Sequence, residues 1–338
     1  MSKLIVEMCK IDKITRHPNA DNLEIATIKG WQVVVGKGLY SEGAHVVYVP
    51  PDSVLPEPLA DRLQVAKYLS KGRVKSVKLR GEYSFGLAFN PLMALGHSYP
   101  MGHDCAAELG ITKWQPPVKI LQGDQAPDDP DFHRYTDIEN INNFPDVMNG
   151  LHVVIAEKIH GTNTRVGFVN GQWMAGSHNT RRKPSESGDF GLYGFALSLP
   201  HVKKAIEWLA NKEGKNVIMY GEVFGKGVQD MEYGLSGLDY AMFDIMVGGR
   251  YMDWSAKLHV ANEFDIQMPH VIASGSHMTL AEIKSCSIGP SGIGGTMREG
   301  VVVTPSVEVP YNEKLGGRLI LKSINPEYLT RKNGTEGH

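Results

Sequence analysis

The sequence has few cysteines, no long apolar run and no recognisable leader. Its three cysteines, Cys9, Cys105 and Cys286, lie far apart and form no CxxC pair. This spacing excludes a disulfide framework and argues against a cysteine zinc site. No apolar run is long enough to cross a bilayer, and residues 1–10 lack a signal-peptide core. We therefore expect a soluble cytoplasmic protein with reduced thiols and no membrane contact.

An excess of positive charge is also lacking. The formal net charge is −2, so a nucleic-acid surface, if the chain has one, must be a local patch. The densest basic stretch contains Lys71, Arg73, Lys75, Lys78 and Arg80. Two interpretations stay open for it: a solvated strand face without a ligand, or a row that binds a phosphate backbone.

The hydrophobic pattern changes along the chain and predicts two domains. Residues 1–112 contain short β-branched runs separated by turn signals, at 33–35 and 46–49, which is typical of a small β-barrel. Residues 113–131 are rich in proline and glycine and are interpreted as a linker. Residues 132–338 mix a helical pattern near 202–209 with apolar runs at 217–220, 240–247 and 300–303. The expected class is α+β with antiparallel sheets.

The most informative feature is Lys158, which follows the apolar run 151–156 in the string Glu157-Lys158-Ile159-His160-Gly161-Thr162-Asn163. Lys-x-x-Gly alone is weak evidence, because it also occurs at 78–81 and 314–317 and most lysines are simply solvated. The difference is context. An amine at the end of a buried strand, before a glycine that admits a ligand, is how covalent nucleotidyl transferases present their nucleophile.

Such chemistry needs further groups. Only about one lysine in a thousand is neutral near neutral pH, so nearby cations or desolvation must favour the neutral amine. Further candidate residues flank other predicted strands. Glu222 comes shortly after the run 217–220, Phe243-Asp244 follow residues 240–242, Glu299 precedes 300–303, and Lys322 follows 319–321. Each alone is more often a surface residue. Together they predict a common cleft that binds a nucleotide and a metal.

This ordered set resembles the motifs of ATP-dependent RNA ligases in the covalent nucleotidyltransferase superfamily. The string around Lys158 resembles motif I, although DNA ligases and capping enzymes usually have aspartate at the position of His160. Residues 135–140 resemble the segment ahead of motif I, residues 220–225 motif III, Phe243-Asp244 motif IIIa, Glu299-Gly300 motif IV and Lys322 motif V. Many relatives have a second lysine where this chain has Ile320, and Arg318 is a candidate substitute.

The resemblance implies a role for each matching residue. Lys158 would take AMP covalently, with Glu299 and Lys322 as further catalytic residues. Glu299 and Glu222 would support Mg²⁺ or Mn²⁺. The implied nucleotide-binding residues are Glu157 at the adenine amino group, Phe243 stacked on the ring, Glu222 at the ribose, and His160, Gly161, Asn163, Asp244, Ile138 and Arg181. Arg181 is the expected motif Ia arginine.

The N-terminal half carries a second resemblance. Residues 14–23, with the string His17-Pro18-Asn19-Ala20-Asp21, resemble the opening of tRNA-binding OB domains, although this string also forms an ordinary turn. An OB-type barrel ahead of a ligase (ATP-grasp-like) domain is the arrangement of Deinococcus-type RNA ligases. That group seals nicks whose 3′-OH strand is RNA.

These observations predict an ATP-dependent RNA ligase that joins 3′-OH and 5′-phosphate ends through lysyl-AMP, in RNA repair. The expected partner is RNA or a nicked duplex containing RNA, without an obligate protein partner. Two alternatives remain. One is another covalent nucleotidyltransferase, such as a capping-type guanylyltransferase. The other is a non-catalytic RNA-binding protein.

Overall fold

The structure, a computed structural model, describes residues 3–115 and 124–331. The chain divides into two compact units. The first contains Met1–Val118 together with Leu329–His338, and the second contains Lys119–Tyr328. No helix within the described part of the chain is long and apolar enough to span a membrane.

The first unit consists mainly of short antiparallel strands. They are β1 (Glu7–Lys10), β2 (Lys13–Arg16), β3 (Leu23–Ile28), β4 (Trp31–Gly36), β5 (His45–Val49), β6 (Ser53–Val54), β7 (Val77–Leu79), β8 (Glu82–Ser84), β9 (Leu87–Phe89) and β10 (Thr112–Lys113). They form the sheets β1-β5-β9 and β2-β3-β4 and the pairs β6-β10 and β7-β8. Across residues 3–115 these ladders share no strand. The predicted barrel is therefore present as separate sheets, without a closed ladder.

Alternation of side chains explains how these strands bury a core. In β4, Trp31, Val33 and Val35 are buried while the residues between them are partly exposed. This is the period of two expected for a strand with one face toward the core. These three residues pack with Ala26, Ile28, Val46 and Tyr48. The apolar runs predicted as strands at 33–35 and 46–49 are thereby confirmed.

Two five-stranded sheets form the centre of the second unit. The first sheet, in the order β11-β20-β19-β12-β18, contains β11 (Glu139–Asn140), β12 (His152–Lys158), β18 (Val271–Ser276), β19 (Gly300–Pro305) and β20 (Leu321–Ile324). The second sheet, in the order β14-β13-β15-β16-β17, contains β13 (Thr162–Val169), β14 (Gln172–Ser177), β15 (Val217–Gly225), β16 (Leu238–Val247) and β17 (Arg250–Tyr251). All pairings except β11-β20 are antiparallel, as expected.

Helices are short and surround the strands. The α-helices are α1 (Glu57–Arg62), α2 (Pro91–Leu95), α3 (Ala106–Leu109), α4 (Phe195–Ser198), α5 (Pro200–Glu213), α6 (Trp254–Glu263), α7 (Leu280–Cys286) and α8 (Pro326–Leu329), and 3₁₀ turns lie at Ala66–Tyr68, Ile141–Asn143 and Gly191–Gly194. The longest, α5, confirms the predicted helical pattern, because Val202, Ala205, Ile206 and Leu209 are all buried. It ends at Gly214, whose φ of +61° favours glycine.

Much of the predicted linker belongs to one unit or the other. β10 pairs with β6, and the Trp114 amide donates to the Asp52 carbonyl, 2.8 Å away, in the first unit. In the second unit, the Lys183 amide donates to the Asp124 carbonyl at 2.9 Å. Residues 116–123 of the predicted linker lie outside the described residues.

Candidate active site

Two predicted catalytic residues are in direct contact. Lys158 is the last residue of β12, and its register partner on β19 is Gly300. Glu299 precedes Gly300, so its carboxylate lies beside the lysine, with Nζ and Oε1 2.5 Å apart. The Glu299 side chain is 1% exposed and the Lys158 side chain 24% exposed. The lysine amine, which the sequence places at the end of a buried strand, is therefore held by a buried carboxylate.

His160 lies in a buried polar cluster. Its Nε2 atom is 2.7 Å from Asp230 Oδ1, and its Nδ1 atom is 2.7 Å from the Tyr328 hydroxyl oxygen. Its backbone amide donates to the Tyr233 hydroxyl at 2.6 Å. Burial raises the pKa of Tyr233, so this hydroxyl stays protonated at neutral pH. Both ring nitrogens of His160, which we expected to bind the nucleotide, are thus hydrogen-bonded to protein groups.

Gly161 is required by strand packing. A Cβ atom at this position would lie 2.3 Å from the Val223 carbonyl oxygen and 3.0 Å from Glu222 Cγ. A side chain therefore does not fit between the start of β13 and β15. From the sequence we expected this glycine to admit a ligand, whereas the structure gives a steric reason within the protein.

Glu157 is a buried carboxylate that is only half satisfied. Its side chain accepts a hydrogen bond at Oε2 from the Gly292 amide, at 2.8 Å. Its Oε1 atom is buried and has no hydrogen-bond partner among residues 3–115 and 124–331. A buried acceptor without a donor costs free energy. An amino group of a ligand would satisfy this oxygen, which fits the predicted contact with adenine.

Asn163 and Glu222 form a polar pair on the second sheet. They are direct register partners on β13 and β15, so their side chains project from the same face. Asn163 Oδ1 is buried and unbonded within the described part of the chain. Glu222 lies inside β15 and does not follow its end, because β15 continues to Gly225.

Phe243 stands at an irregularity in the second sheet. The register between β15 and β16 shifts from Tyr220–Asp244 to Gly221–Met242, which leaves Phe243 without an opposite residue. Such bulges redirect side chains and are common near active sites. Partly buried Phe243, Ile138 and Val302 pack against one apolar cluster, with Tyr135 and Tyr220 among its buried members. These apolar surfaces suit a planar ring, which is the contact expected for Phe243, while Ile138 was expected only as a nucleotide-binding residue.

Asp244 is the centre of a buried ion cluster. Its carboxylate lies 3.2 Å from Lys257 Nζ and 2.8 Å from Arg318 Nη2, and it accepts the Tyr135 hydroxyl at 2.9 Å. Arg318 also pairs with Glu308 at 2.7 Å. Burial raises the pKa of Tyr135, so this hydroxyl remains a donor. Asp244 and Arg318 are thus bonded to each other and to further protein groups, and Arg318, the candidate substitute for a second motif V lysine, is buried in this cluster.

Lys322 and Arg181 occupy less enclosed positions. Lys322 is the second residue of β20, within the strand, where its register partners are Val302 and Asn140. Its side chain is partly exposed. Arg181 pairs with Gly176 in a short bridge, and its Nη1 atom donates to the Pro127 carbonyl at 3.4 Å.

The basic stretch of the first unit divides into two kinds of residue. Arg73 makes contacts within the protein. Its Nη2 atom lies 2.6 Å from Asp52 Oδ1, and its guanidinium is 3.5 Å from the Trp114 ring centre. The exposed members are Lys71, Lys75, Lys78 and Arg80. Arg80 lies with Gly81 in the two-residue turn of the β7–β8 hairpin, and both have positive φ.

The His17–Asn19 segment supports this hairpin. His17 Nδ1 accepts from the Asn19 amide, so Nε2 carries the proton that it donates to the Leu79 carbonyl at 3.0 Å. Asn19 Nδ2 donates to the Arg80 carbonyl at 3.1 Å. The segment that resembles tRNA-binding OB domains is thus hydrogen-bonded, through His17 and Asn19, to the hairpin that carries Lys78 and Arg80.

The donor set suits a metal held jointly with phosphates. Among the described residues, no group of three or more His, Cys, Asp or Glu side chains could hold a metal by itself. Magnesium is usually bound by one or two carboxylates together with substrate phosphates and water. Two carboxylates border the motif I segment. Glu299 pairs with Lys158, and Glu222 lies next to Gly161. They fit that requirement.

Several residues of the site have no local sequence signal. Asp230, Tyr233 and Tyr328 surround His160 although they are 70, 73 and 168 positions away. Gly292 lies 135 positions after Glu157, and its amide donates to the Glu157 carboxylate.

Comparisons with known proteins show which family and which solved structures this chain is similar to. A family model for RNA ligase matches residues 151–324, and a model for an OB-fold domain matches residues 5–92. A mutant of the Naegleria gruberi RNA ligase with AMP and Mn has a TM-score of 0.79 at 23% identity, covering 96% of this chain and 98% of that chain. A second mutant of that ligase with ATP and Mn has a TM-score of 0.80 at 23% identity, covering 97% and 98%. A comparison with curated proteins found no significant match.

The RNA ligase model spans just over half of the 338 residues, and the chain therefore belongs to the RNA ligase family. It is an enzyme of the class that forms phosphodiester bonds, with RNA as its substrate. The solved structures show the same fold over nearly the whole chain, which confirms the α+β class and the N-terminal OB fold. The alternatives of a capping-type guanylyltransferase and a non-catalytic binding protein are not favoured.

Proposed function

We propose that this RNA ligase uses ATP and acts through a lysyl-AMP intermediate on Lys158. The observation that carries the proposal is the buried Glu157 Oε1 atom, which lacks a hydrogen-bond donor within the described residues. The exocyclic amine of adenine is such a donor, whereas guanine presents a carbonyl at the equivalent position. The site therefore supports ATP over GTP.

In the first step the Lys158 amine attacks the α-phosphorus of ATP. A nitrogen–phosphorus bond forms, the bond to the β-phosphate oxygen breaks, and pyrophosphate leaves. The amine must be neutral and must leave Glu299, its partner at 2.5 Å. Glu157 orients adenine, while Phe243 and Ile138 offer apolar surface to the ring.

Glu299 and Glu222 would hold a divalent cation, Mg²⁺ or Mn²⁺. When bound, the cation neutralises charge on the triphosphate and supports charge that develops at the α-phosphate. A cation held at Glu299 would also weaken the pairing of that carboxylate with the Lys158 ammonium and so favour loss of the lysine proton to solvent.

In the second step AMP passes from Lys158 to a 5′-phosphate end. In the third step a 3′-hydroxyl attacks that phosphate, the phosphodiester bond forms, and AMP leaves. Lys322 is the cation that would contact the AMP phosphate, since its side chain is partly exposed on β20. Holding both ends in line supplies much of the acceleration in reactions of this kind.

The substrate that we propose is a nick in a duplex whose 3′-OH strand is RNA, as in RNA repair. Support comes from the OB fold of the first unit and from the exposed cations at Lys71, Lys75, Lys78 and Arg80, which suit a phosphate backbone. We infer that the protein acts in RNA repair without an obligate protein partner.

A sealing assay tests this function. Purified protein, ATP and Mg²⁺ are incubated with a 5′-labelled strand in three forms: a nick with an RNA 3′ end, the same nick with a DNA 3′ end, and a single strand. The proposal expects most product from the first form and none with Lys158→Ala. Equal sealing of all three forms would contradict the proposed substrate, and sealing by Lys158→Ala would contradict the mechanism.

A further inference from the structure

His160 is fixed by two residues to which no motif assigns a role. Its Nε2 atom lies 2.7 Å from Asp230 Oδ1, and its Nδ1 atom lies 2.7 Å from the Tyr328 hydroxyl. The side chains of His160 and Tyr328 are completely buried. An ionised carboxylate only accepts, so Nε2 carries a proton, and Nδ1 of the neutral ring accepts the Tyr328 proton.

This cluster lies beside Glu299, the carboxylate that holds the nucleophile. His160 Nδ1 lies 3.8 Å from Glu299 Oε2, while Glu299 Oε1 pairs with Lys158. The segment that carries Tyr328 also binds the chain around Glu299. The Asn325 amide donates to the Glu299 carbonyl at 2.8 Å, and Asn325 Nδ2 donates to the Arg298 carbonyl at 3.1 Å. The segment after β20 is therefore bonded to both the His160 ring and the Glu299 backbone.

We propose that Tyr328 and Asp230 are positioning residues. They fix the tautomer and tilt of the His160 ring, so that its unprotonated Nδ1 nitrogen, 3.8 Å from Glu299 Oε2 and beyond hydrogen-bond distance, does not compete with Lys158 for that carboxylate. The inference rests on the proposed function, because it concerns the geometry of lysine adenylylation.

The chemistry of the side chain at position 160 explains why partners are needed. The two oxygens of an aspartate are equivalent, whereas the two nitrogens of a neutral imidazole differ in which one carries the proton. A partner on each nitrogen selects one tautomer and one ring orientation. Loss of the Tyr328 hydroxyl would leave Nδ1 as a buried acceptor beside Glu299 and would remove one of the hydrogen bonds that hold the ring in place.

The test is the rate of Lys158 adenylylation in single-turnover experiments across a range of ATP concentrations. Tyr328→Phe removes one oxygen atom and keeps the ring. We expect about a tenfold lower rate at saturating ATP, equivalent to about 1.4 kcal/mol, with the ATP concentration for half-maximal rate changed less than about threefold. Asp230→Asn, which retains an acceptor oxygen, should be faster than Asp230→Ala.

A double variant tests whether the two residues act through the same ring. In an Asp230→Ala background, Tyr328→Phe should lower the rate by clearly less than tenfold, because the ring is already loose. Fully multiplicative effects would contradict a shared action through His160.

Tyr48→Phe is the matched control for loss of a buried hydroxyl. Tyr48 lies in the first unit and donates to the Phe85 carbonyl at 2.9 Å. Its replacement should lower the melting temperature without changing the adenylylation rate. An unchanged rate in Tyr328→Phe would overturn the positioning role while the proposed function stands. Absence of labelling in the wild-type protein would refute the proposed function and, with it, this role.

Discussion

Replacing Glu157 with glutamine should convert a strong preference for ATP into a weak one. The carboxylate has two different oxygens: Oε2 accepts from the Gly292 amide at 2.8 Å, and Oε1 is buried without a donor in the described residues. In the glutamine variant the Gly292 amide still needs an acceptor, so the amide oxygen takes the place of Oε2. The amide NH₂ then occupies the position of Oε1, where it opposes the adenine amino group.

The magnitude follows from the bond that is lost. A hydrogen bond to a charged group contributes about 1.5–3 kcal/mol. At about 1.4 kcal/mol per tenfold change, the efficiency of lysine adenylylation with ATP should fall about 10- to 150-fold. The same NH₂ could donate to the guanine carbonyl, so the efficiency with GTP should rise.

The assay compares initial rates of protein labelling with α-labelled ATP and GTP over a concentration series. Glu263→Gln is the matched control, because Glu263 is exposed on α6 and should leave both rates unchanged. Unchanged ATP and GTP efficiencies in Glu157→Gln would refute the assignment of Glu157 to the adenine amino group.

Three further perturbations test the structural account. Gly161→Ala should lower the melting temperature by several degrees and reduce adenylylation, since its Cβ would lie 2.3 Å from a carbonyl oxygen. Asp244→Asn should destabilise the protein by about 3–5 kcal/mol in denaturant unfolding, because buried cations lose their partner. Arg80→Ala should weaken RNA binding and lower the slope of log K against log salt by about 0.7–0.9, the contribution of one phosphate contact.

Each of these three predictions has a control variant or a result that would contradict it. Gly295→Ala, with nothing within 4 Å of the added Cβ, should be tolerated, and equal damage at both glycines would refute the packing argument. Asp128→Asn removes an exposed ion pair with Arg134 and should change stability by less than about 1 kcal/mol. A loss as large as that of Asp244→Asn would contradict the role of burial. An unchanged salt slope in Arg80→Ala would exclude its phosphate contact.

Local patterns predicted the elements that carry the site. The apolar run before Lys158 and the spacing of Val202, Ala205, Ile206 and Leu209 reflect burial within one strand or helix, which a sequence displays directly. The same patterns misplaced Glu222 and Phe243 at strand ends. β15 and β16 extend through both positions, because the backbone pairing between these strands continues past the polar residues Glu222 and Asp244.

Contacts between distant residues could not be predicted in this way. The Tyr328–His160 hydrogen bond spans 168 positions, and nothing local marks either side chain as buried. Arg318 is a similar case. Its spacing from Lys322 suggested a motif V cation, but its partners Asp244 and Glu308 lie on other segments and place it in a buried ion cluster. Tertiary packing decides such roles.

The most direct test of the account is incubation with α-labelled ATP and Mg²⁺ followed by denaturing electrophoresis. Protein first stripped of AMP should give a labelled band, and Lys158→Ala should give none while binding RNA within a few-fold of the wild-type affinity. A labelled band in Lys158→Ala, or no band in the wild-type protein with ATP, would contradict covalent catalysis at Lys158.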